Sequence, residues 1–293
     1  MHNHIPKIAV LLLITLLVVG GASLFFAEEE VAIEIIEEEV VVEKEIMQVI
    51  GKSVEGRDIE AHTYGEGDTH LLFVGGIHGG YEWNSVILAY EMIDYFKENQ
   101  NDIPENITMT IIPSLNPDGV FNVTQKEGRF TEDEVIAEDQ SVGKGRFNAN
   151  GIDLNRNFAC NWAPESTWKG NVVSAGTEAF SEPEAKALKN FIEDIKPTAV
   201  VFWHSQANAV FASSCNDGTL PETITVMNTY ANAAGYAAVE TFSAYSVTGD
   251  AEGWLADIGI PAVTVELETH ETVEFERNIK GVKALLESYK LEQ

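Results

Sequence analysis

The sequence predicts an α/β fold, with one domain in which helices cover both faces of a sheet. The prediction rests on the alternation of strand-like and helix-like runs and on the turn residues that separate them. Four short runs are rich in β-branched residues and typical of strands: "HLLFVGG" (70–76), "NITMTIIPSL" (106–115), "TAVVFWH" (198–204) and "PAVTVEL" (261–267). In such a fold, functional residues collect at the carboxyl ends of the strands.

Helix-like runs alternate with these strands, and the clearest one spans residues 181–197. Ser181 and Glu184 form a capping-box pattern at its start, and Pro197 ends it. Its apolar residues share one face: Leu188, Phe191, Ile192 and Ile195. A similar pattern predicts a last helix over 274–289.

The first 45 residues are expected to precede the folded domain. Lys7 is followed by "IAVLLLITLLVV" and "GGAS", the layout of an export signal, so residues 1–27 form a signal peptide or an uncleaved membrane anchor. The flanking charges predict that the remainder lies outside the cytoplasm, either secreted or anchored. Residues 28–45 form an acidic linker, although their Val and Ile content leaves a strand or a helix open. One domain then spans 46–293.

Charge and cysteine content restrict the partners and the compartment. The 293 residues include 47 acidic and 18 basic ones, which gives a formal charge of −29. This charge repels phosphate, so it argues against nucleic-acid binding and favours a cationic partner. Cys160 and Cys215 are the two cysteines. In an oxidising compartment we expect them to form a structural disulfide, and the alternative is two unrelated buried thiols.

Three ionisable residues stand at the ends of three predicted strands. His78 follows the first strand within "GGIHGGYEWN", where glycines permit a sharp turn and a close approach of the backbone. His204 ends a second strand, and Glu266 lies near the end of a third. Because such strand ends meet at one edge of a sheet, we expect the three side chains to converge on one cleft.

His78, Glu82 and His204 form a candidate set of metal ligands. Two histidines and one carboxylate suit a catalytic zinc site in which water fills the remaining position. Glu82 is four residues after His78, close enough to share an ion with it. Taken singly, a histidine at a strand end is more often a hydrogen-bonded polar residue than a ligand.

The run "GRFNANGIDLNRNF" (145–158) resembles the "DxNRN" region of the M14 zinc carboxypeptidases, a family that includes carboxypeptidase A and bacterial cell-wall peptidases. The resemblance extends from "IGKSVEGRDIEAHTYG" (50–65) to "AVTVELET" (262–269), with the motifs in the order of the family. This order makes the resemblance specific. It implies a mixed, mostly parallel, twisted sheet.

The resemblance also implies a ligand set and two catalytic residues. His78, Glu82 and His204 would hold one zinc ion. Glu266 matches the family's catalytic glutamate, which takes a proton from water and passes it to the leaving amine. Arg146 matches the arginine that polarises the scissile carbonyl and stabilises the oxyanion.

Four further positions match residues that bind substrate or support a ligand. Asn155 and Arg156 match the pair that holds the substrate's terminal carboxylate, for which the planar guanidinium is well suited. Asp153 matches the carboxylate that accepts the ring N–H of His78. Tyr245 matches the mobile tyrosine that closes over the substrate. Without the resemblance, the Asp-Asn-Arg cluster is equally a network that stabilises a loop, and the tyrosine a packing residue.

The ligand spacing departs from the family pattern. The family usually has His-x-x-Glu, whereas "HGGYE" places Tyr81 at that position and Glu82 one residue later. Either Gly79 and Gly80 permit a one-residue bulge that returns Glu82 to the metal, or the ligand set is altered. We expect the bulge, because glycine adopts the backbone angles that it requires.

Glu252 is the candidate for selecting the substrate's last side chain. It lies seven residues after Tyr245, at a position that in the family faces the pocket for that side chain. A carboxylate there would favour lysine or arginine, or an amine of diaminopimelate. The alternative is that Glu252 faces solvent on a helix.

Three functions remain open. The first is an exported zinc carboxypeptidase that acts on peptides with a free terminal carboxylate. The second is a cell-wall peptidase that trims peptidoglycan stems, and the third is a catalytically silent surface binding protein of the same fold. The presence of Glu266, Arg146 and all three candidate ligands argues against the third. A membrane is a partner only through the N-terminal segment, if that segment is not cleaved.

Overall fold

The strand-like runs of the sequence form the centre of an eight-stranded sheet. A computed structural model describes residues 46–136 and 143–290, so the predicted signal or anchor (1–27) and the predicted linker (28–45) lie outside the described residues. The described strands are β1 (Ile46–Lys52), β2 (Asp58–Tyr64), β3 (Thr69–Val74), β4 (Ile107–Ile112), β5 (Glu165–Trp168), β6 (Asn171–Ser174), β7 (Ala199–Ser205), β8 (Ala209–Ala212), β9 (Ala237–Val239) and β10 (Ala262–Leu267).

The sheet is mixed and mostly parallel, which confirms the predicted fold class. Its strand order is β1-β2-β4-β3-β7-β10-β8-β9, and β5 and β6 form a separate hairpin. The four central strands β4, β3, β7 and β10 run parallel to one another. Antiparallel pairings attach β1 and β2 on one side and β8 on the other, and β9 runs parallel to β8.

Helices cover both faces of the sheet. The described α-helices are α1 (Trp83–Glu98), α2 (Pro117–Thr124), α3 (Pro183–Ile195), α4 (Pro221–Ala234), α5 (Ala251–Asp257) and α6 (Phe275–Ser288). Side chains of a strand point alternately to the two faces, so Val201 packs with α1, α4 and α6, whereas Val200 and Phe202 pack with α3 and α5. Among the described helices, none is long and apolar enough to cross a bilayer.

The capping box predicted at Ser181 and Glu184 does not form. The helix begins at Pro183, because the proline ring favours the first helical position. The Ser181 hydroxyl accepts a hydrogen bond from the side chain of Asn157 at 2.9 Å, and the Glu184 carboxylate accepts one from the Val54 N–H at 3.0 Å. The prediction was wrong because tertiary partners compete for both side chains.

The two cysteines are joined in this fold. Cys160 and Cys215, which are 55 residues apart in the sequence, form a disulfide with their Cα atoms 6.1 Å apart. The bond connects the segment after the 3₁₀ turn Leu154–Arg156 to the segment after β8. A cross-link over a loop of this length restricts the unfolded chain and so stabilises the folded one.

Candidate metal centre

Three potential ligand side chains from two distant parts of the chain meet at the carboxyl ends of β3 and β7. His78 Nδ1 lies 2.8 Å from Glu82 Oε1, and His204 Nδ1 lies 3.0 Å from Glu82 Oε2. The two Nδ1 atoms are 3.2 Å apart. All three side chains are buried, and among the described residues they form a group suited to hold a metal ion.

This donor set fits zinc. Tetrahedral zinc with ligand bonds of about 2.0–2.1 Å places its ligand atoms about 3.3–3.4 Å apart, close to the distances in the cluster. Ring nitrogens that face each other beside a carboxylate repel one another unless a proton or a metal ion lies between them. Burial lowers the pKa of His204, but the carboxylates of Glu82 and Glu252 raise it well above its usual range. The surroundings therefore favour a cation at this point.

A glycine-containing turn of the backbone brings Glu82 to the cluster. Gly79 has a φ of +48° and begins a 3₁₀ turn, Gly79–Glu82, that leads into α1. A Cβ atom on Gly79 would lie 2.7 Å from the carbonyl oxygen of Gly145, and one on Gly80 would lie 2.1 Å from Val123 Cγ2. Both positions therefore require glycine, and a 3₁₀ turn, not the expected one-residue bulge, brings Glu82 beside the two histidines.

Tyr81, the extra residue of this turn, forms part of the cleft wall. Its ring makes edge contacts with Trp168 at 5.2 Å and with His270 at 4.7 Å between centroids. Its hydroxyl accepts a hydrogen bond from Lys169 Nζ at 2.8 Å. The tyrosine thus lies beside the cluster and does not replace Glu82 in it.

Arg146 is buried next to the cluster and is held by Asp153. Its Nε and Nη2 donate to Asp153 Oδ2 at 3.0 and 2.8 Å, while its Nη1 lies 3.7 Å from Glu82 Oε1. Burial raises the pKa of Asp153, but the guanidinium groups of Arg146 and Arg156 hold it well below its usual range. The other oxygen of Asp153 lies 3.5 Å from His78 Nε2, so the predicted support of His78 is an ion-pair contact here.

Glu266 lies on β10 as the register partner of His204 on β7. The side chain lines the same cleft as the cluster. Burial and the nearby carboxylate of Glu82 raise the pKa of Glu266 to about 7. A carboxyl group with such a pKa can accept and release a proton near neutral pH.

The predicted substrate residues line the same cleft, which has a volume of about 640 Å³. Asn155 Oδ1 accepts a hydrogen bond from the Ala251 N–H at 2.8 Å. Arg156 donates from Nη1 to the carbonyl oxygen of Asn155 at 2.5 Å, and its buried Nε has no hydrogen-bond partner among the residues that the structure describes. Tyr245 lies at the rim, where its ring contacts Phe242 at 4.9 Å.

Glu252 lies on α5 and is 3% exposed, so the alternative that it faces solvent is wrong. It lines the cleft together with Asp250, whose pKa burial and the Glu252 carboxylate raise to about 6. Glu252 Oε1 also lies 3.2 Å from His204 Nε2 and accepts a hydrogen bond from Thr264 Oγ1 at 3.0 Å. This carboxylate therefore contacts both the pocket and a candidate ligand.

Sequence reasoning missed several residues of the cleft wall. Trp168 and Lys169 are brought there by the β5–β6 hairpin, whose Lys-Gly turn has positive φ at both residues. That turn is a recognisable signal, but its position over the cleft is not encoded locally. His270 follows β10 by three residues, so the rule of strand ends that identified Glu266 also indicates it.

Comparison with known proteins finds relatives of similar sequence. Carboxypeptidase B of Astacus astacus is 29% identical over 49% of this chain and 48% of its own length. Gamma-D-glutamyl-L-diamino acid endopeptidase 1 of Lysinibacillus sphaericus is 24% identical over 74% of this chain and 59% of its own length. The chain thus spans about half to three fifths of these relatives.

Solved structures share the fold. The murein-tripeptide amidase MpaA of Escherichia coli O157 has a TM-score of 0.58 at 23% identity and covers 84% of this chain and 93% of its own. Carboxypeptidase A of Helicoverpa armigera has a TM-score of 0.63 at 20% identity, with coverages of 84% and 69%. The sequence model of the peptidase M14 family, described as zinc carboxypeptidase, matches residues 43–282 of this chain. Because this match spans most of the chain, the protein belongs to the M14 zinc carboxypeptidase family.

Proposed function

We propose that this protein hydrolyses the amide bond next to a free terminal carboxylate, with His78, Glu82 and His204 as the ligands of one zinc ion. The observation that carries the proposal is the meeting of these three donors beside Glu266 and Arg146 in a single cleft. Zinc, the cofactor of the family, supplies Lewis acidity and makes a water molecule more acidic when bound.

The protein's own residues divide the remaining work. Glu266 takes a proton from the attacking water and passes it to the leaving amine, a role that suits a carboxyl group with a pKa of about 7. Arg146, whose Nη1 is directed at the cluster, stabilises the negative charge that develops on the carbonyl oxygen. Asn155 and Arg156 bind the terminal carboxylate, and Tyr245 at the rim covers the substrate.

We further propose that the pocket prefers a cationic side chain. Glu252, which is buried, and Asp250, which is partly buried, are two carboxyl groups that line it, and an amine is their natural counterpart. Lysine or arginine at the end of a peptide supplies such an amine, and so does diaminopimelate in a peptidoglycan stem. Relatives named carboxypeptidase B, diamino acid endopeptidase and murein-tripeptide amidase support both substrate classes.

Export is the third part of the proposal. The N-terminal layout of 1–27 and a disulfide between Cys160 and Cys215 both suit a protein that acts outside the cytoplasm, where thiols oxidise. Whether the N-terminal segment is cleaved or anchors the protein does not change the proposed activity.

Two substitutions separate metal binding from proton transfer. In Glu82→Ala we expect the zinc content, measured by elemental analysis, to fall from about one ion per chain to near zero, because a ligand is lost. In Glu266→Gln we expect full zinc content with a kcat about 10²–10⁴-fold lower. Undiminished zinc in Glu82→Ala would contradict the ligand set, and unchanged kcat in Glu266→Gln would contradict the proton-transfer role.

Substrate choice is tested with matched peptides that differ only in the last residue, Lys, Phe or Glu, and with a stem peptide that ends in diaminopimelate. We expect kcat/KM for a substrate with a terminal amine to exceed that for Phe by at least about tenfold. A preference for Phe would refute the acidic pocket. Absence of zinc-dependent release from every substrate would favour the silent binding protein.

The export proposal predicts the state of the two thiols. Protein isolated from its native cells and alkylated without reductant should gain no mass, and it should gain two alkyl groups after reduction, because Cys160 and Cys215 are its two cysteines. Intact-mass spectrometry measures both. Full alkylation before reduction would place the protein in a reducing compartment.

A further inference from the structure

We infer that Glu252 is a positioning residue for His204, in addition to lining the substrate pocket. The inference rests on the ligand set of the proposed function. It starts from one contact: Glu252 Oε1 lies 3.2 Å from His204 Nε2, while the other ring nitrogen of His204 faces His78 and Glu82. Both side chains are almost completely buried, so water does not compete for this contact.

This contact determines which ring nitrogen of His204 carries the proton. A neutral histidine carries one ring proton, and the nitrogen that binds a metal must be the one without it. For His204 Nδ1 to be the ligand, the proton must reside on Nε2. Glu252 Oε1 is the acceptor that the described residues place at Nε2. The carboxylate therefore selects the tautomer that leaves Nδ1 available, and it also fixes the plane of the ring.

Glu252 is itself held in place for this role. Thr264 Oγ1, on β10, donates to the same Oε1 at 3.0 Å. Burial raises the pKa of Glu252, but the hydrogen bond and charge of His204 lower it below its usual value. Thr264 is two residues before Glu266 on the same strand, so one side of β10 supports both the proposed base and the carboxylate behind His204.

The other candidate histidine has a weaker version of this arrangement. Asp153 Oδ1 lies 3.5 Å from His78 Nε2, and the second oxygen of Asp153 is occupied by two hydrogen bonds from Arg146. A buried carboxylate thus lies near the Nε2 atom of each histidine, and the shorter of the two contacts is the one made by Glu252. A residue that only recognised substrate would have no reason to approach His204 Nε2.

The experiment measures zinc affinity in the full chain by competition with a chromophoric chelator. In Glu252→Ala we expect the zinc dissociation constant to rise about 10–100-fold. In Glu252→Gln we expect a smaller rise, because the amide oxygen still accepts from Nε2 but carries no charge. Cobalt(II) in place of zinc should show shifted visible absorption bands in both variants, since the orientation of the His204 ring changes.

Asp250→Asn is the matched control. Asp250 is also a carboxyl group of the pocket, two residues earlier and partly buried, but it accepts its hydrogen bond from the Gly253 N–H at 2.7 Å. We expect the zinc affinity and cobalt spectrum of this variant to stay at the wild-type values. Circular dichroism confirms that each variant is folded.

The outcomes distinguish this inference from the proposed function. If Glu82→Ala loses zinc but both Glu252 variants bind it within about twofold of wild type, Glu252 does not position His204 and the proposed function stands. If Asp250→Asn weakens zinc as much as Glu252→Ala, the effect belongs to the pocket in general and the inference is overturned. If Glu82→Ala keeps its zinc, the ligand set is wrong and both proposals fall.

Discussion

Two imidazole nitrogens and a carboxylate lie within 3.2 Å of one another in the interior of this protein, and they repel one another unless a proton or a metal ion lies among them. Buried polar groups without such compensation destabilise a folded chain. The fold is arranged around this requirement. The parallel centre of the sheet brings His78 and His204 to one edge, a glycine turn supplies Glu82, and the neighbouring charges of Arg146 and Asp153 balance each other. An ion bound at this point would therefore also stabilise the packing of this edge of the sheet.

Much of this arrangement can be predicted from the sequence, because it follows from patterns of neighbouring residues. The apolar runs predict the central strands, and the position of His204 and Glu266 at their ends predicts a shared cleft. Contacts between residues that are far apart in the sequence cannot be predicted from such local patterns. The hydroxyl of Ser181 and the carboxylate of Glu184 match a capping pattern but find tertiary partners. The hairpin that carries Trp168 has a local signal for its turn and none for its docking.

Glu252 shows why a family position does not define the role of its side chain. By its position in the family pattern it is a candidate residue of the proposed substrate pocket, and it is buried on α5. Its Oε1, however, lies 3.2 Å from His204 Nε2 and also accepts a hydrogen bond from Thr264, which lies on a different element. A substrate amine and a ligand imidazole would then share one carboxylate, so recognition of the substrate and coordination of the ion are linked through a single side chain.

His204 and Glu266 are register partners on neighbouring parallel strands, β7 and β10. Adjacent strands lie about 4.8 Å apart because backbone hydrogen bonds hold them there, and no exchange of side chains alters that spacing. Strands β7, β8 and β10 line part of the cleft, and the rest of its wall includes a hairpin, a short helix and connecting loops. Divergence or laboratory engineering of these outer segments can change which molecules enter while the spacing between the two strands stays constant. The sheet thus keeps His204 and Glu266 at a constant spacing, while changes in the outer segments can alter the substrate specificity.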